Sequence, residues 1–166
     1  SLSTYDPAEP WRYFNDPDNF YNTDPSMGGV AVNPSGDSLV LYDAGNSFLQ
    51  TSFWLDSVSD IELTVRHLTS SYEGSGFAPV DFVVNDSDGN PFNETNTFIN
   101  DYDVAANHGG SHGLEEDTFW IPQSMLRTGW NDLTIAYEDS TTAPVPTTHY
   151  WINSLHMAFG GDAPEP

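Results

Sequence analysis

The chain has 166 residues, a length that suits one domain burying about 70% of its unfolded surface. It carries 25 acidic residues against three basic ones, Arg12, Arg66 and Arg127, for a formal net charge of −22. That balance argues against nucleic-acid or anionic-membrane partners, which need basic surface. The absence of cysteine removes disulfide and thiol chemistry, and no apolar run approaches the ~20 residues of a membrane-spanning helix.

Residues 1–27 read as an extended arm. Asp6-Pro7, Glu9-Pro10, Asp16-Pro17 and Asp24-Pro25 punctuate it, and each proline biases its predecessor away from helix. The arm is also rich in aromatics, with Trp11, Tyr13, Phe14, Phe20 and Tyr21. Disordered segments are poor in such residues, so these rings are expected to dock. Two docking partners stay open, the chain's own sheet and a neighbouring subunit.

Gly28-Gly29 opens the domain. Alternation and turn residues predict strands over 30–33, 38–42, 47–55, 60–70 and 80–85. Ile61, Leu63 and Val65 alternate with Glu62, Thr64 and Arg66, so one face of that strand is wet. Phe53-Trp54-Leu55 is apolar on both faces and is expected to be central or covered. Residues 86–117 are the least regular part. Further strands are predicted over 118–121, 132–138 and 149–159, with one helical turn near 124–127 stopped by Gly129. About eight strands make two four-stranded sheets, the count of a jelly-roll. The predicted fold is all-β, with a domain over 28–159 and a tail over 160–166.

The loop residues were weighed for metal chemistry. Asn85-Asp-Ser-Asp-Gly-Asn90 places side-chain oxygens at alternate positions, as in half of a calcium loop, with Asp86 and Asp88 as ligands. The closing glutamate is missing, because the twelfth position from Asp86 is Thr97. An Asp-Gly hairpin turn is the simpler expectation, and a structural calcium built from distant loops stays open. His108-Gly-Gly-Ser-His112 with Glu115, Glu116 and Asp117 is the best zinc-like cluster. Glycines separate its members, so a plain glycine-rich loop is expected. His67, His149 and His156 fall in strands as packed or exposed residues. No nucleophile elbow, phosphate loop or His-Glu-x-x-His occurs, so no catalysis and no cofactor are expected. Asn85-Asp-Ser87 and Asn93-Glu-Thr95 are N-glycosylation acceptor patterns, which fits an extracellular or cell-surface setting.

The carboxy-terminal third resembles a known family. A strand, a short Leu126-x-x-Gly129 turn, Asn131-x-Leu-Thr-Ile135 and Tyr150-Trp-Ile-x-Ser-Leu155 are similar to the last third of a galactose-binding-like jelly-roll. Residues 65–71 followed by 79–85 are similar to its middle strands. The resemblance implies the two-sheet fold of many carbohydrate-binding modules, a fold that hosts binding and scaffolding roles alike.

Two functions follow as expectations. The first is a non-catalytic extracellular structural subunit that polymerises with itself into a filament through the aromatic arm. The alternative is a carbohydrate-binding module, with Trp54, Trp130 and Tyr72 as candidate platforms for sugar rings.

Overall fold

The computed structural model describes residues 11–14, 30–32, 39–41, 48–70, 79–93, 95–138 and 149–161. Ten strands pair antiparallel in two sheets. They are β1 (Trp11–Phe14), β2 (Val30–Val32), β3 (Leu39–Leu41), β4 (Phe48–Leu55), β5 (Asp60–Ser70), β6 (Val80–Val84), β7 (Thr97–Tyr102), β8 (Glu115–Ile121), β9 (Gly129–Tyr137) and β10 (His149–Gly161). The larger sheet runs β2-β3-β10-β5-β8 with β1 also on β10, and the smaller runs β4-β9-β6-β7. The architecture is the all-β two-sheet sandwich that the alternation predicts, with six and four strands in place of four and four.

The two sheets meet through the inward set of each strand. β5 contributes Ile61, Leu63 and Val65, β10 contributes Tyr150, Ile152, Leu155 and Met157, and β8 contributes Ile121. From the smaller sheet come Leu49, Phe53, Leu55, Phe82, Val84, Leu133, Ile135 and Tyr137. The period of two along each strand places these side chains on one face. In β10 the phase changes between Ile152 and Leu155, because Asn153 forms a bulge opposite β5 between the pairs Ile152–His67 and Ser154–Arg66.

Two sequence expectations need correction and two are narrowed. Residues 86–117 contain β7, the start of β8 and a one-turn helix, α1 (Val104–Asn107), capped by the Asp103 carboxylate on the Ala106 amide. The helical turn expected near 124–127 is a 3-10 turn at Gln123–Met125. Of the two places expected for Trp54, central or covered, it is partly covered: among the described residues β4 is the edge strand of its sheet, and Trp54 lies on the outer face, half-buried against Trp130. Part of the arm is a strand of the sandwich, with Trp11, Arg12, Tyr13 and Phe14 opposite Ala158, Met157, His156 and Leu155 of the same chain. Phe20, Tyr21 and Tyr72 lie outside the described residues, as do residues 162–166.

Among the described residues no helix is long and apolar enough to cross a membrane.

Candidate functional site

On the outer face of the smaller sheet, β4 presents Phe48, Gln50, Ser52 and Trp54, each half-buried. Their partners on β9 are Ala136, Thr134, Asp132 and Trp130. Gln50 Nε2 donates to Thr134 Oγ1 at 3.1 Å, and Ser52 Oγ donates to Asp132 Oδ1 at 2.6 Å. At the end of this strip the two indoles meet edge to face, with ring centres 5.5 Å apart and planes at 86°. Trp130 is 52% exposed. Leu114 is the other large apolar side chain exposed among the described residues.

Polar contacts hold the Trp54 ring and the backbone that carries Trp130. Trp54 Nε1 donates to Asp56 Oδ1 at 2.9 Å, fixing the indole. The Trp54 ring lies over Gly129, whose φ of 92° is in the left-handed region that favours glycine. The turn bearing Trp130 is shaped by Asn131, which points inward in phase with Leu133 and Ile135 and is fully buried. Its amide donates to the carbonyls of Arg127 (2.8 Å) and Gly129 (3.0 Å). Its oxygen accepts from Arg127 N (3.0 Å) and Asn85 Nδ2 (2.8 Å). Both donors and the carbonyl oxygen of Asn131 are therefore satisfied. Asn85 extends the clamp to the Met125 carbonyl and the Asp132 amide. Arg127 Nε donates to the Trp130 carbonyl at 2.9 Å. A rigid turn thus carries an exposed indole, which reduces the ordering cost of binding.

The predicted metal candidates separate. His108 Nε2 lies 2.9 Å from Asp117 Oδ1, and its Nδ1 is 3.4 Å from Glu115 Oε2. His112 instead turns to the Thr69 carbonyl at 2.6 Å. Asp86, Asp88, Asn90 and Asn93 each accept from a backbone amide two residues on, so the β6–β7 loop is a series of Asx turns in place of a two-residue hairpin. Among the described residues no group of three histidines or acids is arranged to hold a metal. Of the glycosylation candidates, Asn93 is exposed and its amide bonds the Asp88 carboxylate. Both amide hydrogens of Asn85 are engaged, so a glycan there would displace one of those bonds.

Asp117 joins the loop to a residue the sequence left as an ordinary strand position. His67 is fully buried, with Nε2 at 2.6 Å from Asp117 Oδ2 and Nδ1 at 2.7 Å from the Tyr150 hydroxyl. Burial alone would raise the Asp117 pKa, but bonds from His67, Tyr102 and His108 outweigh it and hold the carboxyl well below its ordinary value. An ionised Asp117 offers only acceptors, so His67 donates through Nε2. Burial lowers the His67 pKa despite Asp117, so the ring is neutral and its Nδ1 accepts from Tyr150, whose hydroxyl burial keeps protonated. This chain of bonds crosses one end of the core, from β10 through β5 to β8 and the loop after α1.

A pH dependence follows. Unfolded histidine takes a proton near pH 6.5, while folded His67 resists it until lower pH. The unfolded state therefore binds more protons below about pH 6.5, and stability falls as pH drops through that value. Burial pushes His149 in the same direction. Asp117 adds stability that is lost at still lower pH, as the folded carboxyl protonates. Thermal midpoints measured from pH 8 to 5 should hold at the alkaline end and begin to fall as pH drops below about 6.5. A midpoint that is level between pH 7 and 5 would contradict a neutral buried His67.

The two-sheet antiparallel sandwich has counterparts among solved structures. Among solved structures the chain is similar to the CBM36-1 domain of a multidomain xylanase from the hindgut metagenome of Trinervitermes trinervoides. The identity is 17% and the TM-score 0.52, over 82% of this chain and 94% of that one. It is also similar to a family 35 carbohydrate binding module from an environmental isolate, at 16% identity and TM-score 0.44, over 72% of each chain. A third likeness is to the Podospora anserina GH26-CBM35 β-(1,4)-mannanase, at 14% identity and TM-score 0.49, over 94% of this chain and 28% of that one. At such identities the likeness is one of fold, and the first of the three carries it. No family model matches the chain, and no curated protein matches it in sequence.

Proposed function

We propose that this chain is a non-catalytic carbohydrate-binding module of a secreted or cell-surface protein, and that it holds its glycan on the Trp54–Trp130 platform. The observation that carries the reading is the exposure of Trp130 on a turn that Asn131 and Asn85 make rigid. An indole face stacks on the C–H face of a sugar ring, and neighbouring oxygens and amides take its hydroxyls. The strip from Trp54 to Phe48 covers seven residues of β4, about 20 Å at the rise of a strand, and it is open at the Trp54 end, since Thr134 and Ala136 beside Gln50 and Phe48 are buried. Similarity of fold to the CBM36-1 domain supports the same reading.

The filament reading relied on the arm docking on a neighbour. The pairing of Trp11–Phe14 with β10 of the same chain favours the binding module, and polymerisation is not carried forward.

Affinity electrophoresis against a panel of soluble polysaccharides tests the proposal. At least one glycan should retard the protein. Trp130→Ala should lose about 30-fold or more in affinity, the scale of a central aromatic contact. Its thermal midpoint should hardly move, because the ring is largely outside the core. Unchanged retardation of Trp130→Ala would remove the platform from the site, and no retardation by any glycan would remove the function.

A further inference from the structure

The carboxylates around the Trp54–Trp130 pair define which glycans the platform accepts. Asp132 stands two residues from Trp130, about 7 Å along β9. Its pairing with Ser52 places it on the β4 side before Trp54. Asp56 lies two residues beyond Trp54, past the end of the strand. The two acids therefore flank the indole pair along the strand axis. Each uses one oxygen to fix the site, Asp132 Oδ1 on Ser52 and Asp56 Oδ1 on Trp54. Asp132 Oδ2 and Asp56 Oδ2 carry no hydrogen bond among the described residues. Arg127 in the same turn keeps its charge while its Nε holds the Trp130 carbonyl, so one cation stands against two carboxylates.

We infer that the platform selects neutral, hydroxyl-rich glycans and excludes polyuronates, with Asp132 and Asp56 as the specificity-determining residues. This rests on the carbohydrate-binding reading above. An ionised carboxylate is acceptor-only, so its free oxygen takes the hydrogen of a sugar hydroxyl and has nothing to give a uronate. A uronate on the indole would lie within roughly a Debye length of both acids at moderate salt. The chain's formal charge of −22 repels a polyanion before contact. A neutral chain experiences neither penalty, and charge-assisted bonds from its hydroxyls add to the stacking.

The test uses isothermal titration of the whole chain at low ionic strength with a chelator present, so that divalent cations cannot bridge like charges. The probes are soluble β-1,4-linked glucan and mannan oligosaccharides, and oligogalacturonate and oligomeric alginate of matched length. At least one neutral probe should bind and neither uronate should. Asp132→Asn and Asp56→Asn keep the shape and one acceptor oxygen, and each should weaken the neutral probe by about tenfold or more. Their thermal midpoints, compared with that of the unaltered chain, confirm that both are folded. The double variant should begin to bind uronate. Uronate binding by the unaltered chain equal to its neutral counterpart would overturn the inference and leave the carbohydrate-binding reading standing. Full affinity for the neutral probe in both asparagine variants would do the same. Failure of every probe to bind would count against the reading itself.

Discussion

Asp117→Ala is expected to lower stability by about 2–4 kcal/mol, through the loss of bonds to a charged acceptor and a neutral buried donor left unsatisfied. The carboxylate accepts from His67, His108 and Tyr102. Without it the His67 Nε2–H sits in a fully buried position with no acceptor, at roughly 1–3 kcal/mol for that group alone. Tyr102 and His108 are nearer solvent and can recover part of their bonds from water. The side chain of Asp117 is 15% exposed, which keeps the total at the lower end of the range. For a chain of this size each kcal/mol shifts the thermal midpoint by about 2–4 °C, so the midpoint should fall by roughly 4–16 °C. Asp117→Asn retains one acceptor oxygen and should lose less. Removing a negative charge from a chain at −22 relieves some repulsion and works against the effect. An alanine variant that melts within about 3 °C of the unaltered protein would therefore mean that the network contributes little.

The elements the sequence announces are those whose alternation is long, interrupted in β10 by the one change of phase at Asn153. β4, β5, β9 and β10 can be read from Leu49 to Leu55, Ile61 to Thr69, Leu133 to Tyr137 and Tyr150 to Phe159. β1 is hidden among prolines, and in β7 Thr97, Phe98 and Ile99 give way to Asn100 and Asp101, which read as loop. Its irregular register on β6 and the left-handed Asp101, at φ 50°, belong to the same interruption. Strand partners are not written locally. Nothing in Phe53-Trp54-Leu55 reveals that the opposing residue is Trp130, so an edge indole reads as a central or covered one.

The polar core carries a signal that the sequence reading missed, whereas Trp54 and Trp130 stand out there as candidate platforms. His67 falls in phase with Ile61, Leu63 and Val65, and Asp117 falls in phase with Phe119 and Ile121. A titratable group at an apolar position of a strand requires a buried partner, and two such groups on strands that turn out adjacent find each other. Asn131 carries the same signal, being in phase with Leu133, Ile135 and Tyr137. Asp56 carries none, because it lies in a bend beyond the end of its strand.

Phe82→Ala is expected to destabilise by about 3–5 kcal/mol through loss of buried area and the cavity left behind. Phe82 is fully buried at the middle of β6, between β9 and β7. Its ring centre lies 5.1 Å from that of Phe119 and 6.2 Å from that of Phe98. Phe119 in turn meets Tyr102 edge to face at 5.0 Å, and Tyr102 stacks on His67 at 5.9 Å. The cavity would therefore open beside the rings that seal the Asp117 network. Collapse into it requires Phe119 to move, and Phe119 is fixed opposite Leu63 by the β5–β8 ladder. Phe82→Leu keeps most of the volume and should cost well under half as much. Because Phe82 and Asp117 are joined through Phe119 and Tyr102, the Phe82→Ala, Asp117→Ala double variant should depart from additivity by about 0.5 kcal/mol or more. Denaturant titration of the four proteins measures both quantities, with slopes that stay constant if unfolding remains two-state. A loss below about 1 kcal/mol for Phe82→Ala would mean that this side chain is not packed in the core as described.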